Sequence, residues 1–145
     1  MNAPYPIPQP DPATILSALA ALFQPDDVVE LRSFAKGGRK RTDAGYFDGE
    51  HRQALAEHAV RLNKTGGAVY VTLNPIDPQL LSRYANRVEH GAQATTTDAQ
   101  VTRRRWLLLD FDPTRPTDTS ATDAQLEAAK AAARACWQAL QAECW

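Results

Sequence analysis

The sequence has few cysteines, no long apolar segment and almost no net charge. Its two cysteines, Cys136 and Cys144, are eight residues apart on one predicted helix, about 12 Å along the axis, which excludes a disulfide between them. Apolar runs such as residues 106–109 are too short to cross a bilayer, and the N-terminus lacks a basic segment followed by an apolar one. We therefore expect a cytoplasmic protein without a membrane partner.

The formal net charge of −1 excludes a general electrostatic attraction for nucleic acid, so such a partner must be met by a local patch. With 43% hydrophobic and 23% charged residues in 145, the chain has the composition of one globular domain with a core. Residues 1–10 hold four of the ten prolines and no periodic pattern. We expect a flexible lead-in at residues 1–10 and a folded domain at residues 11–145.

Local patterns predict the first elements of this domain. Asp11 followed by Pro12 is typical of a helix start, and an apolar stripe with helical spacing follows it. The β-branched, alternating residues 28–34 and the short segment 42–47 flank a glycine-containing basic loop. They predict a β-hairpin.

The remaining pattern alternates between helix and strand. The predicted elements are a helix at residues 49–63 capped by Asp48, a strand at 68–73, a helix at 77–88, a strand at 104–111 and a last helix that begins at Ser120 or Thr122. The continuous apolar centre at residues 106–109 indicates a strand buried on both faces. The core face of the last helix would consist of Leu126, Ala129, Ala133, Cys136, Trp137 and Leu140. The predicted fold class is α/β (α+β), with helices packed on a mixed sheet.

Two aspartates at the end of the predicted apolar strand are candidate metal ligands. Residues two apart in a strand point to one side, so Asp110 and Asp112 would project together. Paired carboxylates suit a hard divalent ion such as Mg²⁺ or Mn²⁺, which binds triphosphate oxygens. The alternative is a polar strand exit in which Asp112 and Pro113 start a turn.

Basic residues form two candidate nucleic-acid contacts. The first is the loop that contains Lys36, Arg39, Lys40 and Arg41, and the second is the arginine run at Arg103 and Arg105. Either set can contact phosphates, and either can simply keep a loop or strand end soluble. Tyr70, Thr72 and Asn74 share one strand face and are secondary candidates.

The sequence resembles the archaeo-eukaryotic primases, within them the primase-polymerases of phages, plasmids and mobile elements. The resemblance is carried by residues 103–116 (RRRWLLLDFDPTRP), and upstream by residues 45–48 (GYFD), 69–75 (VYVTLNP) and 86–87 (NR). It continues into residues 120–124. It implies a partial catalytic domain for template-directed nucleotidyl transfer in DNA replication, with Asp110 and Asp112 as catalytic metal ligands. A DNA template, nucleoside triphosphates and a C-terminal or separate helicase would be its partners.

The family pattern also requires a histidine and a further carboxylate after the first motif. His51, His58 and His90 all precede Asp110, and no histidine follows it. We therefore expect an N-terminal part of a primase-polymerase domain that is inactive alone and binds Mg²⁺ or Mn²⁺ weakly. The alternative is a non-catalytic α/β module that binds nucleic acid or protein.

Overall fold

A computed structural model describes residues 9–34 and 41–143 of the chain. These residues form a small α+β structure with the helices α1 (Pro12–Leu22), α2 (Arg52–Lys64) and α3 (Asp123–Ala142) and the strands β1 (Val29–Phe34), β2 (Thr42–Phe47) and β3 (Ala68–Val71). Two units are distinguished, Met1–Trp106 and Leu107–Trp145. The predicted lead-in falls largely on residues 1–8, outside the described residues.

The sheet is antiparallel throughout, in the order β2-β1-β3. The predicted hairpin is confirmed, with Val29 opposite Phe47 and Phe34 opposite Thr42. A mixed sheet was expected because a further strand was predicted at residues 104–111. That part of the fold prediction is wrong for the described residues.

The two faces of the sheet have different coverings. Val29 and Leu31 of β1 pack with α1 and α2 in one apolar cluster, which includes Leu19, Phe23, Phe47 and Leu55. On the opposite face Tyr46 packs with Val28, Ile76 and Leu80, which belong to the irregular segments before β1 and after β3. The sheet therefore has helices on one face and short 3₁₀ turns, at Pro78–Ser82 and Asp98–Gln100, among the segments near the other.

The helix starts are those that the local signals predict. The Asp11 carboxylate accepts a hydrogen bond from the Thr14 amide at 2.9 Å, with Pro12 in the first turn of α1. Asp48 caps a 3₁₀ turn, Gly49–His51, that leads into α2. The Thr122 hydroxyl accepts from the Gln125 amide at the start of α3.

The α-helix predicted at residues 77–88 is wrong. Asp77 and Pro78 do start a turn, but the helical segment is the 3₁₀ helix Pro78–Ser82. Beyond it, isolated bridges join Ala85 to Tyr46 and Glu89 to Ala44, so the backbone groups bond to β2 instead of to a helical turn. Local periodicity did not reveal this competition.

The buried strand predicted at residues 104–111 is also wrong. These residues have no strand assignment, and the exposed fractions of Trp106, Leu107, Leu108 and Leu109 are 41%, 75%, 75% and 45%. An apolar run becomes a central strand only when neighbouring strands satisfy its backbone groups. The described residues after Leu107 contain one helix and no strand to serve that purpose.

The predicted core face of α3 is not buried. None of its described residues is buried, and Leu126 and Trp137 are 42% and 61% exposed. Apolar spacing at helical period is present, but spacing alone does not supply the layer against which a helix packs. Among the described residues, no helix is long and apolar enough to cross a membrane.

Candidate functional site

Asp110 and Asp112 lie in the unit Leu107–Trp145, and both are exposed to solvent. The Asp112 side chain is 78% exposed, and one of its carboxylate oxygens lies 3.6 Å from Arg115 Nη2. Arg115 also donates to the Thr119 carbonyl at 2.6 Å, which ties it to the following turn. Both acids are exposed, but the strand from which they were predicted to project together is absent.

The two carboxylates have the oxygen chemistry that Mg²⁺ and Mn²⁺ prefer, but they supply only part of a coordination shell. Across residues 9–34 and 41–143, no three histidine, cysteine, aspartate or glutamate side chains are grouped to hold a metal. Arg115 moreover competes as the counter-ion of Asp112. The described residues therefore form no closed protein cage around the pair, and weak binding of a divalent ion there stays a prediction.

The Asn74 side chain fixes the beginning of the motif segment. Its amide oxygen accepts hydrogen bonds from the backbone N–H groups of Arg105 and Trp106, both at 2.8 Å. Its amide nitrogen donates to the Trp106 carbonyl at 2.9 Å, and the Trp106 indole N–H donates to the Leu22 carbonyl at 2.7 Å. One side chain from the stretch 69–75 thereby satisfies three backbone groups at the start of the Asp-x-Asp stretch.

A second side-chain bridge joins residues 45–48 to residues 86–87, two further stretches that carry the family resemblance. The Asn86 amide accepts from the Asp48 N–H at 3.1 Å and donates to the Asp48 carboxylate at 2.9 Å. Asn86 has a left-handed φ of 53°, which asparagine tolerates better than most residues. A Cβ at Gly45 would lie 2.2 Å from the Arg87 carbonyl oxygen, so the close approach requires glycine.

The arginines before the motif have different surroundings. Arg105 forms an ion pair with the buried Asp27, at 2.7 Å between Nη1 and Oδ2. Burial raises the pKa of Asp27, but the hydrogen bonds from Arg105 and from the Gln24 amide outweigh it and hold that pKa below its usual value. Arg103 is exposed and lines a cavity of about 430 Å³ with Asp26 and Asp27. A phosphate contact stays a prediction for both arginines.

Of the predicted basic loop, Lys36, Arg39 and Lys40 lie outside the described residues. Arg41 is described, and it lines a cavity of about 350 Å³ together with His58, Arg61 and His90. Burial lowers the pKa of His58, and the charges of Arg61 and His90 lower it further. His58 and His90 are 32 positions apart in the sequence, so no local pattern reveals that they line the same cavity.

The buried Asp43 side chain moderates the charge of this basic cavity. It accepts hydrogen bonds from Arg41 at 3.1 Å, His90 at 2.9 Å and the Gly91 amide at 2.9 Å. Burial raises the pKa of Asp43, but these donors lower it more, so it stays below the usual aspartate value. Arg61 has no ion-pair partner among the described residues, which makes it a free cation of this surface.

A scan against protein-family models, a search of curated proteins and a search of solved structures each gave no match for the chain. Function is therefore inferred from its residues and their contacts.

Proposed function

We propose that the chain provides the first metal-binding motif of a nucleotidyl-transferring domain of the primase-polymerase type. Asp110 and Asp112 would hold Mg²⁺ or Mn²⁺, which when bound supplies positive charge for triphosphate oxygens. Arg41 and Arg61 would attract the phosphates of a DNA template. A nucleoside triphosphate and, in the complete system, a helicase would be further partners, and the setting would be DNA replication, in a mobile element or its host.

The observation that carries this proposal is that the stretches with the family resemblance are hydrogen-bonded in pairs. Asn74 of the second stretch holds Arg105 and Trp106 of the motif stretch, and Asn86 holds Asp48. The contacts are structural, and they support a shared architecture before they support a chemical role.

The exposed apolar run at residues 106–109 favours a second candidate, a module without catalysis of its own that binds another polypeptide or nucleic acid. Contiguous exposed apolar side chains often mark interaction sites. The two candidates differ in what they require of Asp110 and Asp112. The first needs both acids to bind a divalent ion, whereas the second needs neither.

Manganese titration followed by water-proton relaxation enhancement separates the two. We expect a weak signal from the parent chain that is lost in Asp110→Asn and in Asp112→Asn. Asp123→Asn removes another exposed carboxylate of the same unit and is the matched control, which should keep the signal. Because Asp110 is exposed, its substitution should change the free energy of unfolding by less than about 0.5 kcal/mol. Equal relaxation in all four proteins would contradict metal binding at the pair and leave the second candidate.

A further inference from the structure

The basic cavity, of about 350 Å³, is lined by basic side chains from three separate segments of the chain. Arg41 directly precedes β2, and His58 and Arg61 lie one turn apart on α2. His90 belongs to the segment whose backbone bonds to β2. The other described residues that line the cavity are uncharged, namely Leu62, Thr65 and Val88. Two guanidinium groups and two imidazoles thus surround one space that no described acidic side chain lines.

The positive charge of the basic cavity is only partly balanced. The buried Asp43 carboxylate bonds to both Arg41 and His90 from outside the lining, and its single charge can offset one arginine. Arg61 takes part in no ion pair among the described residues. At least one positive charge is therefore uncompensated. Like charges held close together are unfavourable unless a counter-charge offsets them.

Two further acids near the lining residues do not supply that counter-charge. Glu57, one turn before Arg61 on α2, accepts a hydrogen bond from the Gln53 side-chain amide at 2.8 Å. The Glu89 carboxylate lies 4.0 Å from the guanidinium of Arg87. The charge of Arg61 is therefore left to solvent or to a ligand.

The size of the cavity and its donors indicate what kind of ligand fits. Arg61 lies in the last turn of α2, where the negative end of the helix dipole favours a cation even without a ligand. The dipole does not account for Arg41 and His90, which reach the cavity from outside the helix. Small-molecule sites measure about 300–1,000 Å³, so this one suits a compact group. Guanidinium groups present several N–H donors at once, which matches an anion with several oxygens.

His58 is the group whose charge can respond to the contents of the cavity. It is half-buried, with its ring centroid 5.8 Å from that of Phe47. Burial lowers the pKa of His58, as does the charge of Arg61; the charge of Glu57 raises it and that of His90 lowers it. An anion in the cavity would favour the protonated ring, so binding should take up a proton and strengthen as the pH falls. The charged or titratable side chains on the elements around His58 are those of Arg41, Asp43, Glu57, Arg61, Glu89 and His90.

We propose that the basic cavity binds one doubly charged oxyanion, a phosphate group, held by Arg41, Arg61 and protonated His58. The charge of Arg61 and the charge that His58 gains on protonation together match those of a dianion. The group belongs either to free phosphate or to a phosphate monoester, since both present the same oxygens and charge. This inference goes beyond the proposed function, in which Arg41 and Arg61 attract a DNA backbone, because it assigns to the cavity a single group with two charges and needs no metal.

Titration with sodium sulfate, followed by nuclear magnetic resonance of the histidine rings in EDTA and without nucleic acid, is the first test. Sulfate stays doubly charged from pH 8 to 5.5, and sodium chloride at equal ionic strength is the reference. We expect saturable shifts of the His58 signals, with affinity about ten- to hundredfold weaker in Arg61→Gln. Lys64→Gln is the matched control, because it removes an exposed cation from the same turn of α2 that does not line the cavity. It should bind sulfate like the parent.

The pH dependence tests the role of His58. Between pH 8 and 5.5 the affinity of the parent for sulfate should rise, by at most about tenfold per pH unit for each proton taken up. His58→Gln should lose most of this dependence and bind more weakly at pH 5.5. His90→Gln should retain the dependence, since it leaves His58 in place.

Methyl esters of phosphate, compared at pH 7.5, test the charge and the source of the group. Dimethyl phosphate carries one charge and should bind about tenfold or more weakly than methyl phosphate. Tighter binding of methyl phosphate than of inorganic phosphate would identify a monoester as the ligand. Equal binding of those two would identify the free ion as sufficient.

Four results would overturn the proposal. Shifts that do not saturate, or equal weakening by Arg61→Gln and Lys64→Gln, would exclude a site in the cavity. Unchanged pH dependence in His58→Gln would exclude its protonated ring, and equal binding of both methyl esters would exclude a requirement for two charges. Because EDTA removes divalent ions, the sulfate titration does not depend on Asp110 and Asp112. The sulfate and manganese titrations therefore distinguish failure of this site from failure of the metal motif.

Discussion

Asp43 illustrates how much a single buried carboxylate depends on distant residues. It lies on β2, yet its partners include His90 and the Gly91 amide, 47 and 48 positions later. Its side chain is only 4% exposed, whereas those of Arg41 and His90 are 54% and 65% exposed. The loss of this carboxylate therefore leaves a part-buried Gly91 N–H short of its acceptor, while the exposed side chains of Arg41 and His90 can bond to water instead.

We predict that Asp43→Asn lowers the free energy of unfolding at pH 7 by about 1–3 kcal/mol. The pKa of Asp43 is lowered in the folded state, so its ionised form stabilises the fold above the unfolded value of about 4. This contribution is lost as pH falls through the folded pKa. Urea unfolding at pH 7, 5, 4 and 3 should show the difference between parent and variant shrinking below pH 4. Asp26→Asn, which removes an exposed carboxylate, is the control. A stability difference between parent and Asp43→Asn that stays constant down to pH 3 would contradict the role given to the ionised Asp43.

At the scale of elements, the sequence predicted the features that depend on residues close to one another in the chain. The caps at Asp11 and Thr122 and the alternation of β1 and β2 were sufficient to place α1, α3 and the hairpin. The cap at Asp77 was also real, but Ala85 and Glu89 bond to β2, a partner that no local pattern reveals. Helix and strand starts are short-range events, whereas the fate of the following residues depends on long-range pairing.

The segment 106–109 shows the same limit for burial. Its apolar residues predict that the segment is buried, but burial also requires a neighbouring layer of secondary structure to pack against. The candidate site was affected similarly. Asp110 and Asp112 were recognisable from their spacing, but the cavity lined by Arg41, His58 and His90 joins residues that are distant in the sequence, and no local pattern predicts it.

We predict that Leu108→Ser changes the free energy of unfolding by less than about 0.5 kcal/mol, because Leu108 is 75% exposed. Leu55→Ala, in the fully buried part of α2, should cost about 2–5 kcal/mol. Urea denaturation followed by circular dichroism measures both, with constant slopes required for the comparison. Light scattering should also show less self-association for Leu108→Ser, since an exposed apolar patch is reduced. A large loss of stability in Leu108→Ser would instead indicate that Leu108 is buried, as the strand predicted from the sequence requires.

At the scale of the whole molecule, core and motif belong to different units. Both apolar clusters consist of residues before Trp106, whereas Asp110 and Asp112 follow it. The residues that support folding and those that support the proposed chemistry are therefore largely distinct. Substitutions at the two acids can test function without the confounding loss of structure that core substitutions bring.

The last prediction is that the 145-residue chain neither extends nor synthesises a primer, even with Mn²⁺, a DNA template and all nucleoside triphosphates. Phosphoryl transfer depends on positioning the reactants and on neutralising the developing charge. Among the described residues, no histidine, cysteine or further acidic side chain joins Asp110 and Asp112 in a metal-binding group. Arg115 already forms an ion pair with Asp112. Gel analysis of a labelled primer, with an active polymerase as positive control, measures the outcome. Template-dependent product that disappears in Asp110→Ala would contradict the prediction, and it would require that the missing catalytic groups lie within this chain.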